Sequence, residues 1–141
     1  MNRQQKTSRS LPPAILVETL AQAGRAMAVA RRLQRAVLLL TAPGAQASLG
    51  PAYLLEMMRQ AGADRALIDC GQDAGTALLA LRLGWRDLYL AGPQDTAARV
   101  AAIAKASGAT FHDRLPPAFD LAACPPVDEP LVQWLTAHGS N

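Results

Sequence analysis

The stretch Arg35-Ala-Val-Leu-Leu-Leu-Thr-Ala-Pro-Gly44 decides the fold, because its pattern returns twice. Arg65-Ala-Leu-Ile-Asp-Cys-Gly71 repeats it, and Arg86-Asp-Leu-Tyr-Leu-Ala-Gly92 repeats it again. Each is a short apolar run that opens on an arginine and closes on a glycine. Runs of this length without polar alternation fit strands covered on both faces, as in parallel sheets. The leading arginines stand 30 and then 21 residues apart. Strand, crossover helix and return fit in both intervals, provided the middle helix has about three turns.

The intervening segments carry helical spacing. Residues 51–60 place Leu54, Leu55 and Met58 on one side and stop at Gly62. Residues 74–83 do the same with Leu78, Leu79 and Leu83, stopping at Gly84, and residues 95–105 with Val100, Ala101 and Ile103, stopping at Gly108. Glycine just past a helix is the expected left-handed cap. Pro51 suits a first helical turn, and Asp73 and Asp95 suit N-caps. Residues 109–112 offer a fourth short strand.

Upstream, Leu16, Leu20, Ala23, Met27, Ala30 and Leu33 form one stripe at steps of three and four, so residues 14–34 read as a helix. Residues 1–13 are polar, then broken by Pro12 and Pro13, and read as a disordered basic leader. Downstream, a Pro-rich connection leads to a last helix over 129–137, with Asp128 as its N-cap. The expectation is a single α/β domain over 14–141. It is a three-layer α/β/α arrangement around a short, mostly parallel sheet of about four strands, with right-handed crossovers. That gives it the look of half a Rossmann-like sheet, and such a likeness does not transfer function.

Composition agrees with one folded domain. The chain has 141 residues, 50% hydrophobic and 18% charged, which excludes wholesale disorder, collagen and coiled coil. The net charge of +3 is a tail effect, since Arg3, Lys6 and Arg9 account for it and the rest is balanced. Six aromatic residues provide no stacking platform for single-stranded nucleic acid, so a nucleic-acid partner is not expected. No run approaches 18 apolar residues, so no membrane span is expected. Cys70 and Cys124 show neither CxxC spacing nor a secreted framework, which points to a reducing, cytoplasmic setting.

If the sheet is parallel, a site belongs at the carboxyl ends of its strands. Four loops share that edge: residues 41–50, 69–76, 92–96 and 112–114. The first is small and glycine-rich, and Gly44 and Ser48 could meet an anion at a helix start. It matches neither GxGxxG nor GxxxxGK[ST]. The second holds Asp69, Cys70 and Gly71. A cysteine between strand and helix can act as a nucleophile, but the arginine of the cysteine-phosphatase pattern is replaced by Thr76. Asp69 ends a buried strand, where a carboxylate either serves function or binds loop amides. The fourth loop holds His112, which is suited to proton transfer near neutral pH. No spacing supports a metal, and no cofactor is indicated.

Three functions follow as expectations. The first is a domain binding a small anionic or nucleotide-like ligand through Gly44, Ser48, Gly71 and Gly92. The second is a non-catalytic adaptor or oligomerisation domain acting through its N-terminal helix; separately, the edges of so short a sheet need cover, so a homodimer is expected through the first helix, the last helix or an edge strand. The third is a small enzyme using Cys70 or His112 with Asp69.

Overall fold

In the computed structural model, which describes residues 11–138, the chain joins the sheet at Pro13, whose carbonyl accepts the Leu38 N–H at 2.9 Å. The expected leader therefore already contributes to the sheet at its last residue, while its residues 1–10 lie outside the described part.

The elements then follow in order. They are β1 (Ala14–Val17), α1 (Leu20–Leu33), β2 (Leu38–Thr41), α2 (Ala45–Ser48), α3 (Pro51–Ala61), β3 (Ala66–Asp69), α4 (Ala74–Leu83), β4 (Asp87–Tyr89), α5 (Gln94–Ala106), β5 (Thr110–His112), β6 (Ala118–Asp120), a single 3₁₀ turn (Leu121–Ala123) and α6 (Glu129–His138). All six strands are parallel, in the order β5-β4-β3-β2-β1-β6. The α/β class and the parallel sheet are those implied by the repeated runs, in a Rossmann-like alternation of strand and helix. The sheet has six strands rather than about four.

The two additional strands are β1 and β6. The expected helix over 14–34 begins only at Leu20. Pro12 and Pro13 precede Ala14, and Ile15 and Val17 are β-branched, which suits a strand. Thr19 then caps the helix, its hydroxyl accepting from the Gln22 N–H at 3.1 Å. At the other end of α1, Gln34 adopts φ 54° and sends its N–H to the Ala30 and Arg31 carbonyls. β6 lies within the Pro-rich connection, where three residues gave no visible pattern.

The remaining caps mostly follow the sequence. Gly62 and Gly84 close α3 and α4 with φ of 77° and 106°. Asp73 caps α4 by accepting from the Thr76 N–H at 3.0 Å. Asp95 does not cap α5. It sits inside the first turn, and Pro93 holds the capping position. Asp128 directly precedes α6, its carbonyl accepting the Val132 N–H at 2.9 Å, and its side chain pairs with Arg25, Nε to Oδ1 3.1 Å, tying the start of α6 to α1.

Strand alternation divides the core in two. Ile15, Leu39, Ile68 and Leu88 face the helices, meeting Met27, Leu54, Met58, Trp85 and Leu135. Each such aliphatic side chain contributes about 1.5–3 kcal/mol on burial. Trp85 also donates its indole N–H to the Pro51 carbonyl at 3.0 Å, satisfying its one polar atom inside the core. Ala14, Leu38, Leu40 and Leu67 form the core of the opposite face, packed by Leu16, Tyr89, Leu115 and Ala118. That core draws its described side chains from strands and from the β5–β6 connection.

The same connection shows that the sheet is curled. β5 and β6 are its two edges, five strand spacings apart, or about 24 Å if the sheet were flat. From His112 to Ala118 the chain has six residue steps, which reach about 22 Å at most. The edges must therefore approach each other. A strap that takes the short way across lies on the concave side, and Leu115 of the strap packs on the Leu38 and Leu67 face. That face is concave, and the helices lie on the convex face. Among the described residues, no helix is long and apolar enough to cross a membrane.

Candidate functional site

Parallel register brings the expected loops to one edge. Asp69, Tyr89 and His112 are consecutive register partners at the carboxyl ends of β3, β4 and β5. Alternation turns all three toward the concave face, because Leu67 two residues before Asp69 belongs to that face.

Asp69 is 7% exposed. Its Oδ1 accepts the Gly71 N–H at 2.9 Å, which fixes the turn after β3, and its own N–H donates to Thr41 Oγ1 at 2.9 Å. Thr41, the polar end of β2, is thus spent on joining β2 to β3. Oδ2 of Asp69 has no hydrogen bond from the described residues.

Cys70 points the other way. It is fully buried in the core beneath the helices, one residue after Asp69 and on the opposite face. Burial, and then the charges of Asp69 and Asp73, push its thiol up to about 12. At neutral pH Cys70 is a thiol and behaves as a small core side chain. It does not converge with Asp69 or His112, and the structure offers no nucleophile at this position.

His112 is drawn away from the rim. Its Nε2 lies 2.9 Å from Oδ1 of Asp87, two residues down β4 from its register partner Tyr89. Tyr89 stands between His112 and Asp69, and the expected partnership of these two is not formed. Asp87 also receives Arg65, whose Nε donates to Oδ2 at 3.1 Å and Nη2 to Oδ1 at 2.9 Å. Burial pushes the Asp87 carboxyl up, but the hydrogen bonds and charges of His112 and Arg65 outweigh it, and the group ends below the usual carboxylate range. The same pairing raises Arg65. Arg65 and Asp87 read in sequence as the polar start of apolar runs. Asp87 directly follows Arg86 where an apolar position was due, and that was the available signal.

The glycine and serine positions divide. Gly44, Gly71 and Gly92 all take left-handed φ, of 82°, 59° and 124°. Gly44 and Gly92 have open space where a side chain would project, whereas Gln46 lies over Gly71. Ser48 is not a cap for α3, a position taken by Gly50. It ends α2, with Oγ 3.5 Å from the carbonyls of Gly44 and Ala45.

The charges are polarised along the strands. Glu18, Asp69, Asp73, Asp95, Asp113 and Asp120 stand at the carboxyl edge, facing Arg114 alone among the described residues. Arginines gather at the opposite edge, where the helices end, as helix dipoles favour. Among the described residues, no group of three or more His, Cys, Asp or Glu side chains could hold a metal. Compared with protein-family models and with curated proteins, the chain shows no match.

Proposed function

We propose that this chain is a small-ligand-binding domain that takes a nucleotide-like molecule at the carboxyl edge of its concave face. The observation behind this reading is Asp69, a nearly sealed carboxylate whose Oδ2 takes no donor from the described residues. A carboxylate at a strand end is suited to accept from sugar hydroxyls. Tyr89 beside it supplies a ring, and Gly44, Gly71 and Gly92 let backbone approach the ligand closely. The carboxylates around the rim favour the nucleoside end of this range over a multiply charged phosphate tail.

Thermal-shift and calorimetric titration with adenosine, AMP and ATP tests the reading. The expected order of affinity is adenosine, then AMP, then ATP, with Asp69→Asn weakening the best ligand about tenfold. The amide oxygen introduced by that substitution would still accept from the Gly71 N–H, so the turn survives. Failure of all three ligands to bind, or binding indifferent to Asp69→Asn, overturns it.

A second reading rests on a different observation. Leu20 and Tyr53 are 41% and 54% exposed, and they flank a shallow groove between α1 and α3 that also includes Met57. Exposed apolar side chains side by side suit a docking surface, and here they involve the N-terminal helix. On this reading the chain is an adaptor or a homodimer. Light scattering at high micromolar concentration should then give a dimer mass that Tyr53→Glu reduces to a monomer. A monomer mass for the unaltered chain counts against the homodimer. The two free cysteines fit a cytoplasmic setting in either case.

A further inference from the structure

A second concavity lies at the opposite end of the sheet, independent of the rim. It is a depression of about 210 Å³ at the amino ends of β3 and β4, near the last turns of α3 and α4. Leu55 and Met58 give it an apolar wall, and Arg59, Arg65 and Arg86 give it a cationic one.

Arg65 is the organised part. Its Nε and Nη2 grip both oxygens of the buried Asp87 side by side, which holds the guanidinium plane in place. Nη1 has no protein partner among the described residues and remains a donor. Arg86 is exposed and forms no ion pair among the described residues, while Arg59 reaches Glu56 only at 4.0 Å. Asp64 is the one other acid on the wall, so three guanidinium groups outnumber two carboxylates. The last turns of α3 and α4 end nearby, where the N–H groups of Gly62 and Gly84 engage two carbonyls of each helix.

We propose that this depression is a binding site for a small monocarboxylate carried on an apolar body. The carboxylate would meet Arg86 and the free side of Arg65, and the apolar part would lie against Leu55 and Met58. Arginine recognises a carboxylate by paired parallel N–H donors, the geometry Arg65 already adopts toward Asp87. The volume is below the roughly 300–1,000 Å³ of sites for larger ligands, which sets a small occupant.

The test is a two-dimensional ¹H–¹⁵N titration with benzoate, run in parallel with benzyl alcohol and with inorganic phosphate. Benzoate should give saturable shifts at the amides of Leu55, Ala63, Arg65 and Arg86. Benzyl alcohol lacks the charge and phosphate lacks the apolar body, so each should bind about tenfold or more weakly. Arg86→Ala, an exposed change that leaves the melting temperature unaltered, should weaken benzoate by a similar factor. No saturable shift with benzoate overturns the proposal. So does equal binding of either control, or benzoate binding unchanged in Arg86→Ala. Shifts confined to Asp69, Tyr89 and Gly92 would place benzoate at the rim and overturn it as well.

Discussion

The imidazole of His112 and the carboxylate of Asp87 meet across two neighbouring strands, Nε2 to Oδ1 2.9 Å, in a three-residue hydrogen-bonded network with Arg65.

That network makes the fold acid-sensitive in a defined direction. Asp87 lies below its ordinary value in the folded chain, so the unfolded chain takes up the proton first. Its stabilisation is complete above about pH 3.9, the unfolded value, and is lost as the pH falls through the lower folded value. Asp87→Asn should remove this dependence and cost about 2–3 kcal/mol at neutral pH. That is less than the about 3–5 kcal/mol of a fully buried pair, because Arg65 keeps a third of its side chain in water. Urea midpoints at pH 7 and near pH 3 check both parts.

The two cysteines should behave differently toward a thiol reagent. Cys70 is sealed in the core with its thiol pushed up to about 12, whereas Cys124 is partly exposed. At pH 7.5 the native chain should therefore label at Cys124 alone, and Cys124→Ser should remove labelling until urea is added. Rapid labelling of native Cys124→Ser would place Cys70 elsewhere.

Two glycines on the rim predict an order of cost. Gly44→Ala meets open space and should cost about 1 kcal/mol, for the left-handed backbone alone. Gly71→Ala carries the same strain and also brings its Cβ to 3.1 Å from Nε2 of Gln46. It should be the more destabilising of the two by chemical denaturation. The reverse order would contradict the position of α2 over the turn after β3.

Leu115 supplies the strap's side chain to the concave core. Leu115→Ala should cost about 1–2 kcal/mol, less than a fully buried leucine because this one is half-buried. Hydrogen exchange should quicken first at β5 and β6. Uniform exchange across all six strands would show that the strap does not hold the edges.

The sequence made β2, β3 and β4 legible because each lies in a compact apolar run between charged and glycine signals, and β5 by its place after the glycine that follows a helical pattern. It concealed β1 because Leu16 and Leu20 extend the spacing of α1 backward, so one periodicity covered two elements. It concealed β6 because its strand character comes from pairing with Ala14, Ile15 and Leu16, a partner more than 100 residues away. The layout of the candidate site was legible only in part. Chain direction brought Asp69 and the glycines to one edge, but the face on which each side chain lands depends on register. Alternation separates Asp69 from Cys70, and the Asp87 carboxylate takes His112, neither of which spacing alone reveals.

The strap between His112 and Ala118 acts as a bowstring on the sheet. Its length limits how far the two ends of the bow can spring apart, so curvature is set by five residues that belong to no strand or helix. A surface connection usually tolerates extra residues. Here each one inserted would slacken the string, flatten the arc and uncover the leucines beneath it.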